Sequence, residues 1–211
     1  HVAAVIAANK DNVEAWYMEG ELHRLANELK PALAAYDRVV KIRPYHLRAR
    51  LGRATVAIAS GNLAPADADL HAILAIYKDN PFATYVRGVV EYKKGNYGEA
   101  LNMFQKASKS LADFKPMAFW LSLTYIALGQ HAQAAENAYI FYNAFPDSSQ
   151  ARTLKAYVEL QQQKPKEAIA LLTSLEREET KDPMVFNMLG SAYAATGDLD
   201  KSAQYLHRAV E

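Results

Sequence analysis

The sequence has 211 residues, of which 51% are hydrophobic and 22% are charged, so its composition matches neither a disordered chain nor a membrane-spanning one. Its 24 Lys and Arg residues balance 23 Asp and Glu residues, and the net charge of +1 provides no long-range field that would attract nucleic acid. The sequence contains no cysteine, which excludes disulfides and thiol catalysis and leaves the cellular compartment open.

A period of 34 residues divides the chain into six frames that begin at residues 13, 47, 81, 115, 149 and 183. The eighth residue of every frame is small: Gly20, Ala54, Gly88, Ser122, Ala156 and Gly190. The twentieth residue is small as well: Ala32, Ala66, Ala100, Ala134, Ala168 and Ser202. Two antiparallel helices approach closely only where the side chains at their crossing are small. Each frame is therefore predicted to form one hairpin of two helices, each about 14 residues long.

Other positions of the frame carry the apolar face and the end of the first helix. Positions 24 and 27 give the second helix its apolar stripe: Tyr36, Val39, Leu70, Ile73, Phe104, Ala107, Ala138, Phe141, Leu172, Leu175, Leu206 and Ala209. Position 15 requires the left-handed backbone conformation that ends a helix, and four frames place Gly there. Asn27 can also adopt this conformation, whereas Gln163 adopts it only at an energetic cost.

The residues at these positions resemble the tetratricopeptide repeat (TPR) family over essentially the whole chain. The third and sixth frames carry much of its pattern: Gly88, Gly95, Asn96, Tyr97, Glu99, Ala100, Phe104, Ala107, Leu189, Gly190, Tyr193, Gly197, Asp198 and Ala209. The resemblance implies an all-α fold, a right-handed superhelical TPR solenoid of antiparallel helix pairs with a 34-residue period.

The same resemblance implies a single solenoid domain. Residues 1–12 would be the second helix of a preceding repeat, and six tandem repeats would follow at 13–46, 47–80, 81–114, 115–148, 149–182 and 183–211. Natural arrays end in polar capping helices, and none is visible in this sequence. We therefore expect the domain to be a segment of a longer array.

Residues 121–172 also resemble, more narrowly, the TPR lipoprotein of the bacterial exosortase (PEP-CTERM) protein-sorting system. The shared features are Leu128-Gly129, an Ala-rich second helix, Pro146 and the helix start at Ala151, Arg152 and Leu154. This resemblance implies a location in the cell envelope or periplasm and a role in protein sorting or exopolysaccharide-linked export. The cytoplasm is the alternative location.

The sequence contains no arrangement of residues typical of an active site or a metal centre. Its six histidines share no i, i+4 spacing with one another, and a solvated helix face explains the spacing of Asp67 and His71. No Gly-rich phosphate loop or nucleophile elbow is present. We therefore expect a protein that is not an enzyme, with no catalytic residue, no cofactor and no metal.

Four frames carry a charged residue at position 7, where TPR repeats usually carry Leu: Glu19, Arg53, Arg87 and Lys155. We expect these side chains to be partly buried. Because residues four apart are neighbours on a helix, Arg87 can pair with Glu91 and Lys155 with Glu159, and we expect ionic pairing of these charges within or between hairpins.

In the TPR family, first-helix positions 2, 5, 9, 12 and 13 line a ligand groove, so the resemblance implies a protein-binding groove here. Its candidate residues are Tyr17, Arg24, Arg48, Leu51, Tyr85, Val89, Tyr92, Lys93, Phe119, Trp120, Leu123 and Tyr157. Six of them are predicted to form an aromatic wall: Tyr85, Val89, Tyr92, Phe119, Trp120 and Leu123. Such a wall would anchor a protein or peptide segment, since aromatic residues are favoured at binding hot spots. Ordinary core packing is the alternative for this wall.

Two other functions are compatible with a helical repeat. A self-assembling array would form homo-oligomers through apolar ends, chiefly around Ala203, Leu206 and Val210. An RNA-binding repeat would need a basic groove, and Arg24, Arg48 and Lys93 are few for that purpose. We therefore expect a protein or peptide partner and no nucleic acid.

Overall fold

The computed structural model describes residues 2–177 and 181–210, and over these residues it contains 13 α-helices and no strand. The helices are α1 (Val2–Ala8), α2 (Val13–Leu25), α3 (Leu29–Ile42), α4 (Leu47–Ala59), α5 (Leu63–Ile76), α6 (Pro81–Lys93), α7 (Tyr97–Ser108), α8 (Pro116–Ala127), α9 (His131–Ala144), α10 (Ser149–Gln161), α11 (Pro165–Arg177), α12 (Pro183–Thr196) and α13 (Leu199–Arg208). From α2 onward, consecutive helices pack as pairs, one pair in each frame. The predicted all-α fold of helix pairs is therefore confirmed.

The first helix of each pair begins where the frame predicts. Helices α2, α4, α6, α10 and α12 begin at the first residue of their frames, and α8 begins one residue later. The residue before the helix caps several of them: side chains of Asn12, Asn80, Ser148 and Asp182 accept a hydrogen bond from a backbone N–H of the first turn. These bonds satisfy donors that have no partner inside a helix, so the caps fix where the helices start.

All twelve small residues at frame positions 8 and 20 are buried. A Cβ atom on Gly20 would lie 2.7 Å from Tyr36 Cε1, and one on Gly52 would lie 2.6 Å from Tyr36 Cζ. The fully buried Tyr36 ring thus fills the space that glycines of α2 and α4 leave open. Gly88 leaves the same space for Phe104, whose Cε1 would lie 2.7 Å from an added Cβ. Small residues on the first helices therefore allow rings of the second helices to insert against them.

Six connections within the helix pairs contain a residue with positive φ at frame position 15. Four are the predicted glycines, with φ between 70° and 85°, and the other two are Asn27 and Gln163, each with φ 58°. Gln163 thus adopts the conformation that we expected to be costly for it. The Lys164 N–H donates to the Glu159 carbonyl at 2.9 Å, which is the hydrogen bond that closes such a turn.

An ion cluster around one buried carboxylate joins three consecutive helices of the first half of the chain. Asp69 on α5 is fully buried and accepts hydrogen bonds from Arg53 Nε and Nη2 on α4, each at 2.7 Å. Arg50 also donates to Asp69, and Arg53 Nη1 donates to Asp37 on α3 at 2.6 Å. Hydrogen bonding to Asp69 raises the pKa of the Arg53 guanidinium above its usual value. The charged cluster therefore holds α3, α4 and α5 together.

The chain forms two compact units, residues 1–112 with α1 to α7 and residues 113–211 with α8 to α13. Each unit is described by itself below. The predicted single domain, its repeat boundaries and its continuation into a longer array stay predictions. Among the described helices, none is long and apolar enough to cross a membrane.

Changing Gly52→Ala should lower the free energy of unfolding by about 1–3 kcal/mol, because the added methyl group overlaps the Tyr36 ring, which is enclosed on all sides. Urea denaturation of both proteins measures the difference. Gly98→Ala is the matched control, since an added Cβ there has no atom within 4 Å. Equal stability of the Gly52→Ala and Gly98→Ala variants would contradict the tight contact.

Changing Asp69→Ala should lower the free energy of unfolding by about 3–5 kcal/mol, because it leaves Arg50 and Arg53 without their buried partner. Asp79→Ala removes a comparable but exposed pair, in which Asp79 Oδ1 lies 3.1 Å from Lys106 Nζ, and should cost at most about 1 kcal/mol. Thermal and urea unfolding of the two variants provide the comparison. A loss for Asp69→Ala no larger than that for Asp79→Ala would contradict the stabilising role of the cluster.

Candidate functional site

The second unit contains a cavity of about 560 Å³ between its first helices. Helices α8, α10 and α12 contribute most of its lining, which consists of Phe119, Leu123, Ile126, Ser149, Gln150, Thr153, Leu154, Tyr157, Leu175, Asp182, Met184 and Val185. The volume lies within the range of natural ligand sites, which are usually apolar with a few polar groups. The cavity therefore has the size and chemistry of a binding site.

Three of the predicted groove residues, Phe119, Leu123 and Tyr157, are brought together in this cavity. Phe119 stands at frame position 5, and Leu123 and Tyr157 stand at position 9 of successive frames. Positions 5, 9 and 12 form one stripe along a helix, because residues three or four apart share a face. The stripes of α8 and α10 thus face the same space.

On α8, Phe119 both lines the cavity and packs against other aromatic rings. The Phe119 ring centroid lies 5.2 Å from that of Phe141 on α9 and 5.3 Å from that of Trp120, with the latter pair edge to face. Phe119 and Leu123 are both half-buried against the core of the unit. Trp120 is half-buried and does not line the cavity, so it supports Phe119 from the side.

The open part of the cavity contains residues that the sequence-based selection left out. Met184 is 50% exposed, Gln150 is exposed, and Thr153 is half-buried. All three stand at frame positions 2 or 5, so the same frame that indicated Phe119 also indicates them. Their side chains are flexible or polar, so their residue types alone did not indicate binding anchors.

In the first unit, several of the predicted residues of α2 and α4 are engaged by neighbouring side chains. The Tyr17 ring lies 5.5 Å from the His46 ring, and burial, followed by the Glu21 carboxylate, raises the pKa of Tyr17. Arg24 Nη2 donates to Glu21 at 2.7 Å, so its charge is paired. Of the two predicted groove residues on α4, Arg48 is exposed and Leu51 is half-buried.

On α6, the structure corrects one member of the predicted wall. Val89 is only 5% exposed, because it packs into the core, and it offers little surface to a ligand. The Tyr85 ring lies 5.9 Å from that of Phe104, and the Tyr92 ring lies 5.3 Å from that of Tyr97, so both are half-buried among other rings. Burial, followed by Tyr97, raises the pKa of Tyr92.

Lys93, the last predicted residue of the first unit, is exposed at the end of α6. The wall that was predicted as one surface divides between the two units, with Tyr85, Val89 and Tyr92 in the first and Phe119, Trp120 and Leu123 in the second. Its continuity therefore stays a prediction.

The charged residues at frame position 7 are all partly buried, as predicted, but the two predicted i, i+4 pairs are wrong. Lys155 Nζ lies 3.9 Å from the centre of the Tyr142 ring, and Glu159 instead accepts a hydrogen bond from Tyr139 at 3.1 Å and lies 3.6 Å from Lys164 Nζ. The aromatic ring of the preceding helix pair offers the ammonium group a closer partner than its own helix does.

The second predicted pair fails because Glu91 is engaged by other side chains. Its carboxylate accepts hydrogen bonds from Asn96 at 2.8 Å and from Lys94 at 3.2 Å, both in or next to the turn that follows α6. Arg87 is not among its partners in the described part of the chain. The residues described by the structure also include no group of three His, Cys, Asp or Glu side chains that could hold a metal ion.

Two protein-family models match the chain. The tetratricopeptide repeat model matches residues 1–46 and 153–211, and the model of subunit 3 of the anaphase-promoting complex, or cyclosome, matches residues 93–175. The chain is a tetratricopeptide repeat protein. Its predicted membership of the TPR family is therefore confirmed.

One known protein matches a short segment of this TPR protein in sequence, and solved structures share its fold at low sequence identity. A segment of 44 residues is 36% identical to the TPR repeat-containing protein MJ0941 of Methanocaldococcus jannaschii, covering 21% of this chain and 13% of that protein. PilF of Pseudomonas aeruginosa has a TM-score of 0.73 at 16% identity, over 92% of this chain and 88% of that chain. YrrB, described as a TPR protein with an unusual peptide-binding site, has a TM-score of 0.51 at 18% identity, over 99% of this chain and 90% of that chain.

The TPR family narrows the class of function. TPR proteins bind protein or peptide partners, and the TPR fold is generally a non-catalytic scaffold. The fold of this chain therefore indicates a protein–protein interaction scaffold.

Proposed function

We propose that this TPR protein is a non-catalytic scaffold that binds an apolar peptide or protein segment in the cavity lined by α8, α10 and α12. The observation that carries the proposal is the cavity itself, which three first helices line with residues of one repeating stripe. A groove assembled from equivalent positions of successive repeats suits an extended or helical segment, because such a ligand also repeats along its length.

The chemistry of the lining favours apolar anchors in the ligand. Phe119, Leu123 and Tyr157 are held by the core behind them, so their rings and methyl groups lose little freedom when a ligand binds. A rigid aromatic anchor of this kind can contribute about 2 kcal/mol to binding. Met184 is the most exposed apolar residue of the cavity and can adapt to the shape of the ligand.

The polar rim restricts the charge of the ligand. Among the described lining residues, Asp182 is the one charged side chain, and it already accepts a hydrogen bond from the Met184 N–H at 2.9 Å as the cap of α12. Ser149, Gln150 and Thr153 supply neutral donors and acceptors that suit a peptide backbone. An uncharged, apolar segment with exposed backbone groups therefore fits this lining better than an acidic or basic one.

Self-association is a second candidate, which a separate observation favours. Leu206 is 42% exposed and Val210 is 82% exposed, at the end of the second unit. Exposed apolar side chains in one place are typical of an interaction surface. Sedimentation at two protein concentrations distinguishes a self-associating array from a monomer that binds other proteins.

A role in protein sorting or exopolysaccharide-linked export at the bacterial cell envelope is the finer proposal. It is supported by the resemblance of residues 121–172 to the exosortase-system lipoprotein, and those residues include part of the proposed groove. Fractionation of cells that produce the intact protein tests this location. Recovery in the cytoplasmic fraction alone would exclude the envelope role.

Changing Met184→Glu should weaken peptide binding at least tenfold, because it places a charge in the apolar cavity without a partner. The probes are dodecamer peptides selected from a random phage library on the unchanged protein, with dissociation constants measured by fluorescence anisotropy. The matched control is Leu199→Glu, which puts the same charge on a residue that is 69% exposed and outside the cavity. Both variants should keep the melting temperature of the unchanged protein.

Two outcomes would contradict the proposed groove. One is the selection of peptides whose affinity is the same for the Met184→Glu variant as for the unchanged protein. The other is an equal loss of affinity in the Leu199→Glu variant, which would show a general effect of charge.

A further inference from the structure

The four charged residues at frame position 7 differ in how their charges are satisfied. Glu19 lies 3.5 Å from His23, Arg53 is held by two aspartates, and Lys155 lies over the Tyr142 ring. Arg87 differs from these three, because its Nε atom is buried and has no hydrogen-bond partner among the described residues. Among the described residues, Arg87 thus lacks the carboxylate partners that the equivalent Arg53 has.

Comparison of equivalent frame positions identifies the acceptors that Arg53 has and Arg87 does not have. Arg53 binds Asp69, at position 23 of its own frame, and Asp37, at position 25 of the preceding frame. The equivalent residues for Arg87 are Met103 and His71. The third repeat therefore keeps the guanidinium group and replaces both carboxylates.

Arg87 lines a cleft of about 350 Å³ between α5 and α6 in the first unit. The other lining residues come from α5: Ala64, Asp67, Ala68 and His71. Asp67 Oδ2 accepts a hydrogen bond from Lys94 Nζ at 2.8 Å, so the one acid of the cleft has a partner of its own. The alanines leave room beside the guanidinium group for an entering side chain.

We propose that this cleft binds a carboxylate of an acidic side chain on a partner protein, which takes the place that Asp37 and Asp69 take at Arg53. Arg87 donates to the carboxylate through the terminal nitrogens of its guanidinium group, as Arg53 donates to Asp37 through Nη1. The cleft is a contact site of the first unit, additional to the apolar groove of the second, and it selects for Asp or Glu.

Nuclear magnetic resonance of the full chain with ¹⁵N-labelled arginine tests this assignment. The probe is an acetylated and amidated Glu-Glu dipeptide, titrated at constant ionic strength against sodium chloride. We expect the Arg87 Nε signal, assigned by its loss in Arg87→Lys, to shift and saturate with the dipeptide and not with chloride. The Arg53 Nε signal should stay unchanged, because its carboxylates are already in place.

Filling the site from within the chain gives an independent measurement. Met103→Asp places a carboxylate at the frame position of Asp69, and Met103→Asn places a neutral side chain of the same size there. Met103→Asp should melt about 2–4 °C above Met103→Asn, and it should abolish the response of Arg87 to the dipeptide. In the Arg87→Met background, the two variants should melt at the same temperature.

Several results would overturn the proposal. The proposed carboxylate site would be contradicted if the Arg87 Nε signal did not shift with the dipeptide, or if it shifted equally with chloride. A shift with inorganic phosphate and none with the dipeptide would indicate a site for a different oxyanion and would also contradict the proposal. If both Met103 variants fail to fold, the titration of the unchanged protein still decides.

Discussion

Paired helices in this protein meet at two small residues, and that close approach governs which other side chains are buried. Because Gly20, Gly52 and Gly88 have no side chains, Tyr36 and Phe104 lie directly against the backbones of the first helices. The rings then occupy space that side chains at those positions would fill. The face of each first helix that carries position 8 packs against the second helix of its pair. The stripe at positions 5, 9 and 12 lies on another face.

The proposed groove depends on that division of the first helix. In the second unit, Phe119 is supported by Phe141 and Trp120 and still lines the cavity. A side chain that is braced on one side and open on the other can bind without first being ordered. The rim residues Gln150 and Met184 are more exposed and can adjust to a ligand. The site thus combines a fixed apolar floor with an adaptable edge.

The sequence predicted those features that depend on steric limits within one frame. Small residues at positions 8 and 20 can be recognised by type, and the caps and left-handed residues act on their own helix ends. Exposure was harder to predict, as Val89 and Leu123 show. They share frame position 9, yet Val89 is buried and Leu123 is half-buried in the cavity wall, so the frame position alone does not determine exposure.

The predicted pairing of Lys155 with Glu159 failed for a related reason. The i, i+4 rule compares residues on one helix, whereas Tyr142 reaches Lys155 from the preceding helix pair. For the same reason, the i, i+4 rule did not predict that Arg87 lacks carboxylate partners. The acceptors of the equivalent Arg53 lie on other helices, at frame positions 23 and 25. A repeat frame predicts such contacts once one repeat of known structure shows which positions meet.

The left-handed Gln163 has a consequence for how the molecule moves. A residue with a Cβ atom is held in this conformation at a cost of about 1 kcal/mol, which glycine does not incur at the equivalent turns. The hydrogen bond from the Lys164 amide to Glu159 therefore opens more readily than its counterparts after Gly95 or Gly197. Hydrogen exchange of the Lys164 amide should accordingly be faster than that of Asn96 or Asp198, and the end of α10 should be the first part of that helix to fray.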